Sequence, residues 1–282
     1  SGSFLATYPS VTAAAYLREL ADALLAHPAL EGRGSRHSPT DHERHIATTF
    51  ALSYDRLDAA DPTDAAARAL LARAACLAPG EPIPRALLLA TLTQDGTDTL
   101  HAEDGLRRLE ALGLLDAEQG GALTLHRLLA AFVGRLGEDA AAQAAVEQAI
   151  NDLLQRTVAN NTANYLTLRP RDAHLRHVGT LALARGDPQS ADLCHRLGEY
   201  LRWTDAYDEA LRYQQQALAL YRQVGDRLGE ANVRKAIGDL LQFRADRDAA
   251  LESYQQALAL YRQVGSKLGE ACLLYTSDAA DE

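Results

Sequence analysis

The chain has 282 residues, 47% of them hydrophobic and 23% charged, which is the composition of a chain able to bury a core. Its formal net charge of -10 argues against nucleic acid as the main partner, because like charges repel. No run of about 18 apolar residues and no signal-peptide pattern occurs, so no membrane association is expected. The three scattered cysteines form no disulfide framework, and we expect a cytoplasmic protein.

The methionine and lysine content bears on whether this chain is part of a longer protein. Methionine is absent even at position 1, and we therefore expect a fragment of a longer reading frame. Lysine occurs only at Lys235 and Lys267, so the chain has no GxxxxGK[ST] phosphate loop, and any P-loop chemistry would lie upstream. The preference for Arg over Lys and the high Ala content are typical of a GC-rich bacterial genome.

The N-terminal half predicts short helices and one hairpin. Apolar periodicity and breaker residues predict helices over 10–26, 41–57, 65–78, 85–92 and 102–112, with a further helix that opens at Arg127. The Pro-rich segment 79–84 predicts a loop. Alternation over 114–116 and 123–126, around a Gly-containing turn, predicts a β-hairpin. Three helices followed by such a hairpin are the order of a winged helix.

The C-terminal half contains an internal repeat. Residues 215–225 recur as 255–265, and residues 228–231 recur as 268–271 at the same offset. Apolar residues at i, i+3, i+4 and i+7 predict a helix in each copy, and 191–203 predicts a second helix before the first copy. Two such helices per repeat must bury their apolar faces against neighbouring repeats.

Small and aromatic residues give this repeat a family resemblance. They recur at equivalent places in the two units: Gly198, Ala210 and Ala217, then Gly238, Ala250, Tyr254 and Ala257. This pattern resembles the tetratricopeptide repeat, in which small residues let paired helices approach closely and an aromatic residue fills the gap. Gln214 departs from the pattern at the aromatic place, and Cys194 and Arg234 stand where the family often has Trp.

The tetratricopeptide resemblance implies a binding surface for a protein or peptide on the first helix of each unit. We call this surface the inner face. Its residues are His195, Arg196, Glu199, Arg202, Asn232, Lys235, Asp239 and Gln242. Their mixed charge gives no ligand signature by itself.

The last eleven residues, 272–282, resemble the in-frame translation of a transposon-end sequencing adapter. We expect them to be an artefact that is excluded from fold reasoning. A third repeat is then truncated, with Asp278 where a small residue is needed.

Three segments of the N-terminal half carry a second resemblance. Residues 51–57 (ALSYDRL), 71–75 (LARAA) and 109–115 (LEALGLL) resemble the winged-helix part of STAND signalling ATPases of the NB-ARC type. The fold class expected is mainly α, a winged-helix domain with a short hairpin followed by an α-solenoid of tetratricopeptide helix pairs.

The STAND resemblance also implies a domain plan and a switch. Residues 1–40 would be a remnant of a helical domain, 41–136 the winged helix, 137–190 a helical connector and 191–271 the repeats, with units 191–224 and 231–264. The full-length protein would bind ADP or ATP with Mg and would self-assemble when a partner occupies the repeats, whereas this chain alone would hold no cofactor and hydrolyse nothing.

One histidine has an implied role in that switch. Leu125-His126-Arg127 lies at the place of the family's Met-His-Asp triplet, whose His contacts the β-phosphate of ADP. An imidazole N–H can donate to a phosphate oxygen, and losing that contact would favour the open state. Arg127 replaces the family's Asp, which puts the helix-capping role of the triplet in doubt.

Two other functions remain open at this stage. A transcription regulator would read DNA with Arg107 and Arg108, and a plain tetratricopeptide adaptor would have no switch. Parts of a zinc pattern occur at His174, His177 and Cys194-His195, but helical residues of mixed orientation rarely converge on one metal.

Overall fold

The structure is a computed structural model that describes residues 50–93, 98–118, 120–135, 139–160 and 162–278. These residues are mainly helical, as predicted. The predicted helix 10–26 and the proposed domain remnant 1–40 lie outside the described residues. The chain divides into two compact units, Ser1–Ala149 and Ile150–Glu282, which are described separately.

The first unit begins with helical residues 50–54 and continues with short elements. In chain order these are α1 (Pro62–Ala75), β1 (Ile83–Pro84), α2 (Arg85–Thr93), α3 (Thr99–Ala111), β2 (Asp116–Ala117), β3 (Ala122–Thr124) and α4 (Arg127–Arg135). Helix α5 (Ala140–Asn160) contains the boundary between the two units.

Helix α1 organises the core of this unit. Asp61 caps it by accepting a hydrogen bond from the Asp64 backbone N–H at 2.9 Å, and Pro62 occupies the first turn, where no N–H is needed. Helix α3 packs closely on α1 because Gly105 has no side chain: a Cβ there would lie 2.9 Å from the Ala67 backbone nitrogen. Leu70, Leu71, Leu106 and Leu109 are fully buried between these helices and their neighbours.

The first unit also contains a small antiparallel sheet with strand order β1-β3-β2. The predicted hairpin is confirmed, with Asp116 opposite Thr124 and Ala117 opposite Leu123. The segment predicted as a loop contributes strand β1, in which Ile83 pairs with Leu123. Two residues give no readable alternation, and Pro is tolerated because β1 lies at the sheet edge, which explains why the sequence did not reveal this strand.

The second unit is a series of paired helices. It contains a 3₁₀ segment (Thr162–Arg171), α6 (Asp172–Arg185), a 3₁₀ turn (Pro188–Ser190), α7 (Ala191–Trp203), α8 (Tyr207–Val224), α9 (Arg227–Phe243), α10 (Arg247–Val264) and α11 (Lys267–Asp278). We call the pair α7–α8 repeat 1 and the pair α9–α10 repeat 2.

The repeated sequence produces repeated helix ends. Gly225 and Gly265 end α8 and α10 in the left-handed conformation, with φ of 76° and 70°. The predicted ends at 224 and 264 therefore agree with the structure, whereas α9 begins at Arg227, before the predicted start of its unit at 231. Helix α11 continues to Asp278, inside the segment expected to be an adapter artefact, whose origin stays a prediction.

Candidate functional site

The inner-face residues lie along one side of α7 and α9, two helices that contact each other. On α7, residues 196, 199 and 202 follow each other at intervals of three, the spacing that places side chains on one helix face. Residues 232, 235, 239 and 242 do the same on α9 at intervals of three and four. Seven of the eight predicted residues therefore lie in two helical rows, and the eighth, His195, contacts Gln214 of α8.

In repeat 2 the polar groups of the inner face satisfy one another. The Lys235 ammonium lies 2.9 Å from Asp239 Oδ2. The Tyr254 hydroxyl lies 2.9 Å from Asp239 Oδ1, to which it donates, and 3.2 Å from Gln242 Oε1. Asp239 therefore has both carboxylate oxygens engaged, and the network is closed.

In repeat 1 the equivalent network is incomplete. Arg202 Nη2 donates to Glu199 Oε2 at 3.0 Å, and these side chains are only 12% and 23% exposed. However, three atoms of this network are buried and have no hydrogen-bond partner among the described residues: Glu199 Oε1, Arg202 Nε and Arg196 Nε. We call these three side chains the open cluster. A buried donor or acceptor without a partner costs about 1 to 3 kcal/mol, so this cluster is less well satisfied than the network of repeat 2.

One difference between the repeats lies on the second helix, in addition to the differences between α7 and α9. The Tyr254 hydroxyl of α10 donates a hydrogen bond to Asp239, whereas Gln214, at the equivalent position of α8, is hydrogen-bonded to His195. Gln214 Oε1 lies 2.9 Å from His195 Nδ1, and Gln214 Nε2 donates to the His195 carbonyl at 3.1 Å. Glu199, the counterpart of Asp239, is left without the hydroxyl that Tyr would supply.

Glycines on the first helices make room for these side chains. A Cβ at Gly238 would lie 2.5 Å from the Tyr254 ring, and a Cβ at Gly198 would lie 2.6 Å from the Gln214 amide. The predicted reason for small residues at this place, close approach of paired helices, is therefore confirmed.

Arg202 also connects the two repeats electrostatically. Burial raises the pKa of the Tyr254 hydroxyl above its ordinary value, the Asp239 carboxylate raises it further, and the Arg202 charge acts in the opposite direction. The Arg202 guanidinium lies 4.6 Å from the centre of the Trp203 ring, which adds a cation–π contact. Arg202 therefore belongs to the open cluster and has a fixed position beside the closed network.

Asn232 has a structural contact. The Tyr261 hydroxyl donates to Asn232 Oδ1 at 2.8 Å, and at the equivalent position of repeat 1 the Tyr221 hydroxyl donates to Asp192. Burial raises the pKa of Tyr261 to about 12. The tetratricopeptide resemblance predicts that an aromatic residue fills the gap between paired helices, but it did not reveal that the tyrosine hydroxyls bind inner-face groups.

His126 follows β3 and is exposed. Its Nδ1 accepts a hydrogen bond from the Leu128 backbone N–H at 3.2 Å, so His126 itself caps α4. Nδ1 then carries no proton and Nε2 holds the N–H, while the ring lies 5.6 Å from the Phe50 ring. The neighbouring Arg127 stem packs on Gly80, where a Cβ would lie 3.0 Å from Arg127 Cγ.

The two arginines considered for DNA reading have different environments. Arg108 Nε lies 2.7 Å from Asp64 Oδ1. Burial would raise the pKa of Asp64, but the hydrogen bond from Arg108 lowers it below its ordinary value. Arg107 is 72% exposed and lies 3.7 Å from Asp104. Arg108 thus joins α3 to α1, and the pair does not form a basic surface.

The residues of the zinc pattern all belong to the described part of the chain. There, no group of three or more His, Cys, Asp or Glu side chains is placed to hold a metal ion. Burial lowers the pKa of His177, and the neighbouring His174 lowers it further. No helix in the described part of the chain is long and apolar enough to cross a bilayer.

The second unit has the architecture of a helical repeat protein, with antiparallel helix pairs that recur at a constant sequence interval. Comparison with family models identifies the repeat: residues 190–263 match the model described as tetratricopeptide repeat, which confirms that prediction for this segment. None of the curated protein sequences matches the chain.

Among solved structures, the chain is similar to a Signal Transduction ATPase with Numerous Domains (STAND) protein with a tetratricopeptide repeat sensor from Pyrococcus horikoshii. The identity is 13% and the TM-score 0.35, over 95% of this chain and 54% of that chain. The present chain therefore spans about half the length of that protein.

Proposed function

We propose that this chain is the partner-sensing portion of a STAND-type nucleotide-dependent signalling switch. Its tetratricopeptide repeats bind a protein or peptide on the inner face, and its first unit helps to hold ADP in the full-length protein. Partner binding favours an open state, which weakens the hold on ADP and permits exchange and assembly.

The observation that carries the partner-binding part is the open cluster of repeat 1. Two buried guanidinium Nε donors and one carboxylate oxygen lack partners among the described residues there, whereas the same surface of repeat 2 is closed. A ligand that offers an acceptor to Arg196 or Arg202 gains hydrogen bonds that the free protein leaves unmade. We therefore expect repeat 1 to dominate the binding energy.

A selection experiment tests whether repeat 1 binds a peptide partner. Peptides from a random display library are selected against the full chain, and the dissociation constant of the best peptide is then measured for Arg202→Gln and Arg196→Gln. We expect a loss of at least about tenfold, or about 1.4 kcal/mol, for Arg202→Gln.

Lys235→Gln on repeat 2 is the matched control, because Lys235 is engaged by Asp239. We expect it to change affinity by less than about threefold. Failure to enrich any peptide, or equal losses for Lys235→Gln and Arg202→Gln, would contradict the proposal.

The nucleotide part is supported by the arrangement of the first unit. The order α1-β1-α2-α3-β2-β3, with the sheet order β1-β3-β2, is compatible with a winged helix. His126 is exposed directly after β3, and its capping role leaves the Nε2–H able to donate to a phosphate. The His126 cap also supplies the helix-capping function that Arg127 cannot.

The role of His126 in holding ADP is tested in the protein that contains the sequence upstream of this chain. If a P-loop is encoded there, ADP that copurifies is released and quantified for wild type, His126→Ala and His101→Ala. We expect His126→Ala to release ADP at least about tenfold faster, because one charge-assisted hydrogen bond contributes about 1.5 kcal/mol or more.

His101→Ala is the control, since His101 lies within α3 and does not follow β3. Equal ADP release from both variants would overturn the role of His126. An upstream sequence without a P-loop would instead favour a plain tetratricopeptide adaptor, and this chain alone is expected to hydrolyse no nucleotide in either case.

A further inference from the structure

The turns that join α8 to α9 and α10 to α11 expose a repeated apolar set. Because consecutive helices are antiparallel, both turns lie at the same edge of the helix pairs, which we call the turn edge. Its apolar residues are Val224 (52% exposed), Leu228 (45%), Val264 (41%) and Leu268 (77%). Such side chains at a shared edge form an apolar surface of the kind that marks interaction sites.

The backbone of the turn edge is also accessible to a partner chain. Gly225 and Gly265 form the turns, and a Cβ built at either position would meet no described atom within 4 Å. The backbone of each turn is therefore accessible between the two apolar side chains that flank it.

Basic side chains border the apolar residues at both turns. Their exposed fractions are 49% for Arg222, 60% for Arg227, 62% for Arg262 and 89% for Lys267. At the first turn Arg222, Arg227 and also Arg234 share the single buried carboxylate of Glu230, at 2.9 to 3.2 Å.

The second turn repeats this excess of positive charge. Arg262 and Lys267 share Glu270, at 4.0 and 3.6 Å. Asp226 offsets one charge at the first turn by capping α9, where it accepts from the Gly229 N–H at 2.9 Å. With Arg234 included, the first turn has three cations and two carboxylates, and the second turn has two cations and one carboxylate among the residues named here.

The opposite edge, formed by the α7–α8 and α9–α10 turns, has a different character. It carries the acidic side chains Asp205, Asp208, Asp246 and Asp248. Asp208 is 89% exposed and pairs with Arg244 at 2.8 Å. Its apolar groups include Phe243, which stacks on Tyr207 with ring centres 5.5 Å apart. The opposite edge also has the basic side chains Arg244 and Arg247 and the exposed Leu251, so the two edges differ in these aspartates and not in the presence of basic and apolar groups.

We propose that the turn edge docks an acidic amphipathic segment of a partner protein, with apolar side chains against Val224, Leu228, Val264 and Leu268 and carboxylates beside Arg222, Arg227, Arg262 and Lys267. Charge complementarity selects an acidic segment, and the apolar groups between the cations select a partner that also has apolar side chains. The chain's net charge of -10 disfavours extended polyanions such as nucleic acid or an anionic membrane. This surface is separate from the inner face, and the inference does not rest on the proposed function.

The test uses the full chain and a synthetic helical peptide of about four turns with Leu on one face and Glu on its flanks. Binding is measured by fluorescence anisotropy at two salt concentrations. Versions of the peptide with Gln or Lys in place of Glu, and vesicles that contain phosphatidylserine, are measured in parallel. We expect the Glu peptide to bind at least about tenfold more tightly than the Lys peptide, with a loss of affinity at high salt.

Paired substitutions locate the site. Leu228→Ser with Leu268→Ser, and Arg222→Gln with Arg262→Gln, are each expected to weaken the peptide at least about tenfold. Leu251→Ser with Arg247→Gln at the opposite edge is the matched control and is expected to leave affinity unchanged, as is Arg202→Gln on the inner face. Thermal unfolding of every variant establishes that it is folded, and a paired variant that has lost its fold is replaced by the single substitution Leu268→Ser.

Absence of Glu-peptide binding, equal binding of the Lys peptide, or equal loss in the opposite-edge control would overturn the proposal. Vesicle binding that the turn-edge substitutions abolish, without peptide binding, would assign the surface to a membrane instead. Because Arg202→Gln reports only on the inner face, failure here is distinguishable from failure of the partner-binding function.

Discussion

The second helices of repeat 1 and repeat 2 share most of their sequence, whereas the first helices differ at most positions, and the two inner faces differ in hydrogen bonding. In repeat 2, Asp239 is held by Lys235 and by the Tyr254 hydroxyl. In repeat 1, Glu199 has one oxygen without a partner among the described residues, because Gln214 is hydrogen-bonded to His195. The backbone scaffold tolerates either arrangement, so the residue at 214 or 254 changes the surface without changing the fold.

This difference separates two roles that a repeat can have. A closed network contributes stability and offers few groups to a ligand, whereas an open cluster is less stable and gains more from binding. We therefore expect repeat 2 to support the solenoid and repeat 1 to recognise the partner. Substitutions at matched positions of the two repeats test that division.

The largest effect is expected for Tyr254→Gln, which gives repeat 2 the residue of repeat 1. Tyr254 is 8% exposed, and replacing its ring with a smaller amide leaves a cavity against Gly238 and removes the hydroxyl from Asp239. We expect the free energy of unfolding to fall by about 3 kcal/mol, measured by urea denaturation followed by circular dichroism. A loss below about 1 kcal/mol would show that the aromatic side chain does not stabilise the repeat.

The second effect compares Gly238→Ala with Gly198→Ala. The Cβ added at Gly238 meets the rigid Tyr254 ring, whereas the Cβ added at Gly198 meets the open-chain Gln214, whose amide can move only by giving up its hydrogen bonds to His195. We expect a loss of about 2 kcal/mol for Gly238→Ala and of less than about 1 kcal/mol for Gly198→Ala, in which the gain in helix propensity offsets part of the strain. Equal losses in urea denaturation would contradict the role given to position 214.

These contrasts also show what the sequence could reveal. The repeat period, the helix ends at Gly225 and Gly265 and the close approach at Gly238 were all predictable, because they follow from local periodicity and residue size. The direction of the Gln214 amide was not, because alternative donors and acceptors lie within reach and only packing decides between them. Strand β1 was missed for a similar reason, since its pairing with β3 is a short tertiary contact.

Gln214→Tyr sharpens the comparison in the other direction. Gly198 leaves room for the ring, and the new hydroxyl is placed to donate to Glu199, as Tyr254 does to Asp239. We expect the free energy of unfolding to rise by about 1 kcal/mol and the affinity for the selected peptide to fall. Stabilisation without any loss of affinity would separate the open cluster from partner recognition and so break the proposed division of roles.

The smallest effect concerns the turns within the two repeats, where Asp205 and Ala245 both have a φ of 60°. Ala has no side-chain group that compensates for this left-handed conformation, whereas Asp205 accepts a hydrogen bond from the Tyr207 hydroxyl at 2.8 Å. Ala245→Gly relieves about 1 kcal/mol of strain but adds backbone entropy to the unfolded chain, so we expect a net gain of about 0.5 kcal/mol. Asp205→Gly loses the hydrogen bond and is expected to be neutral or destabilising in the same urea denaturation. A greater stabilisation by Asp205→Gly than by Ala245→Gly would show that the side chain does not determine the strain at these turns. The two repeats would then differ on their inner faces alone.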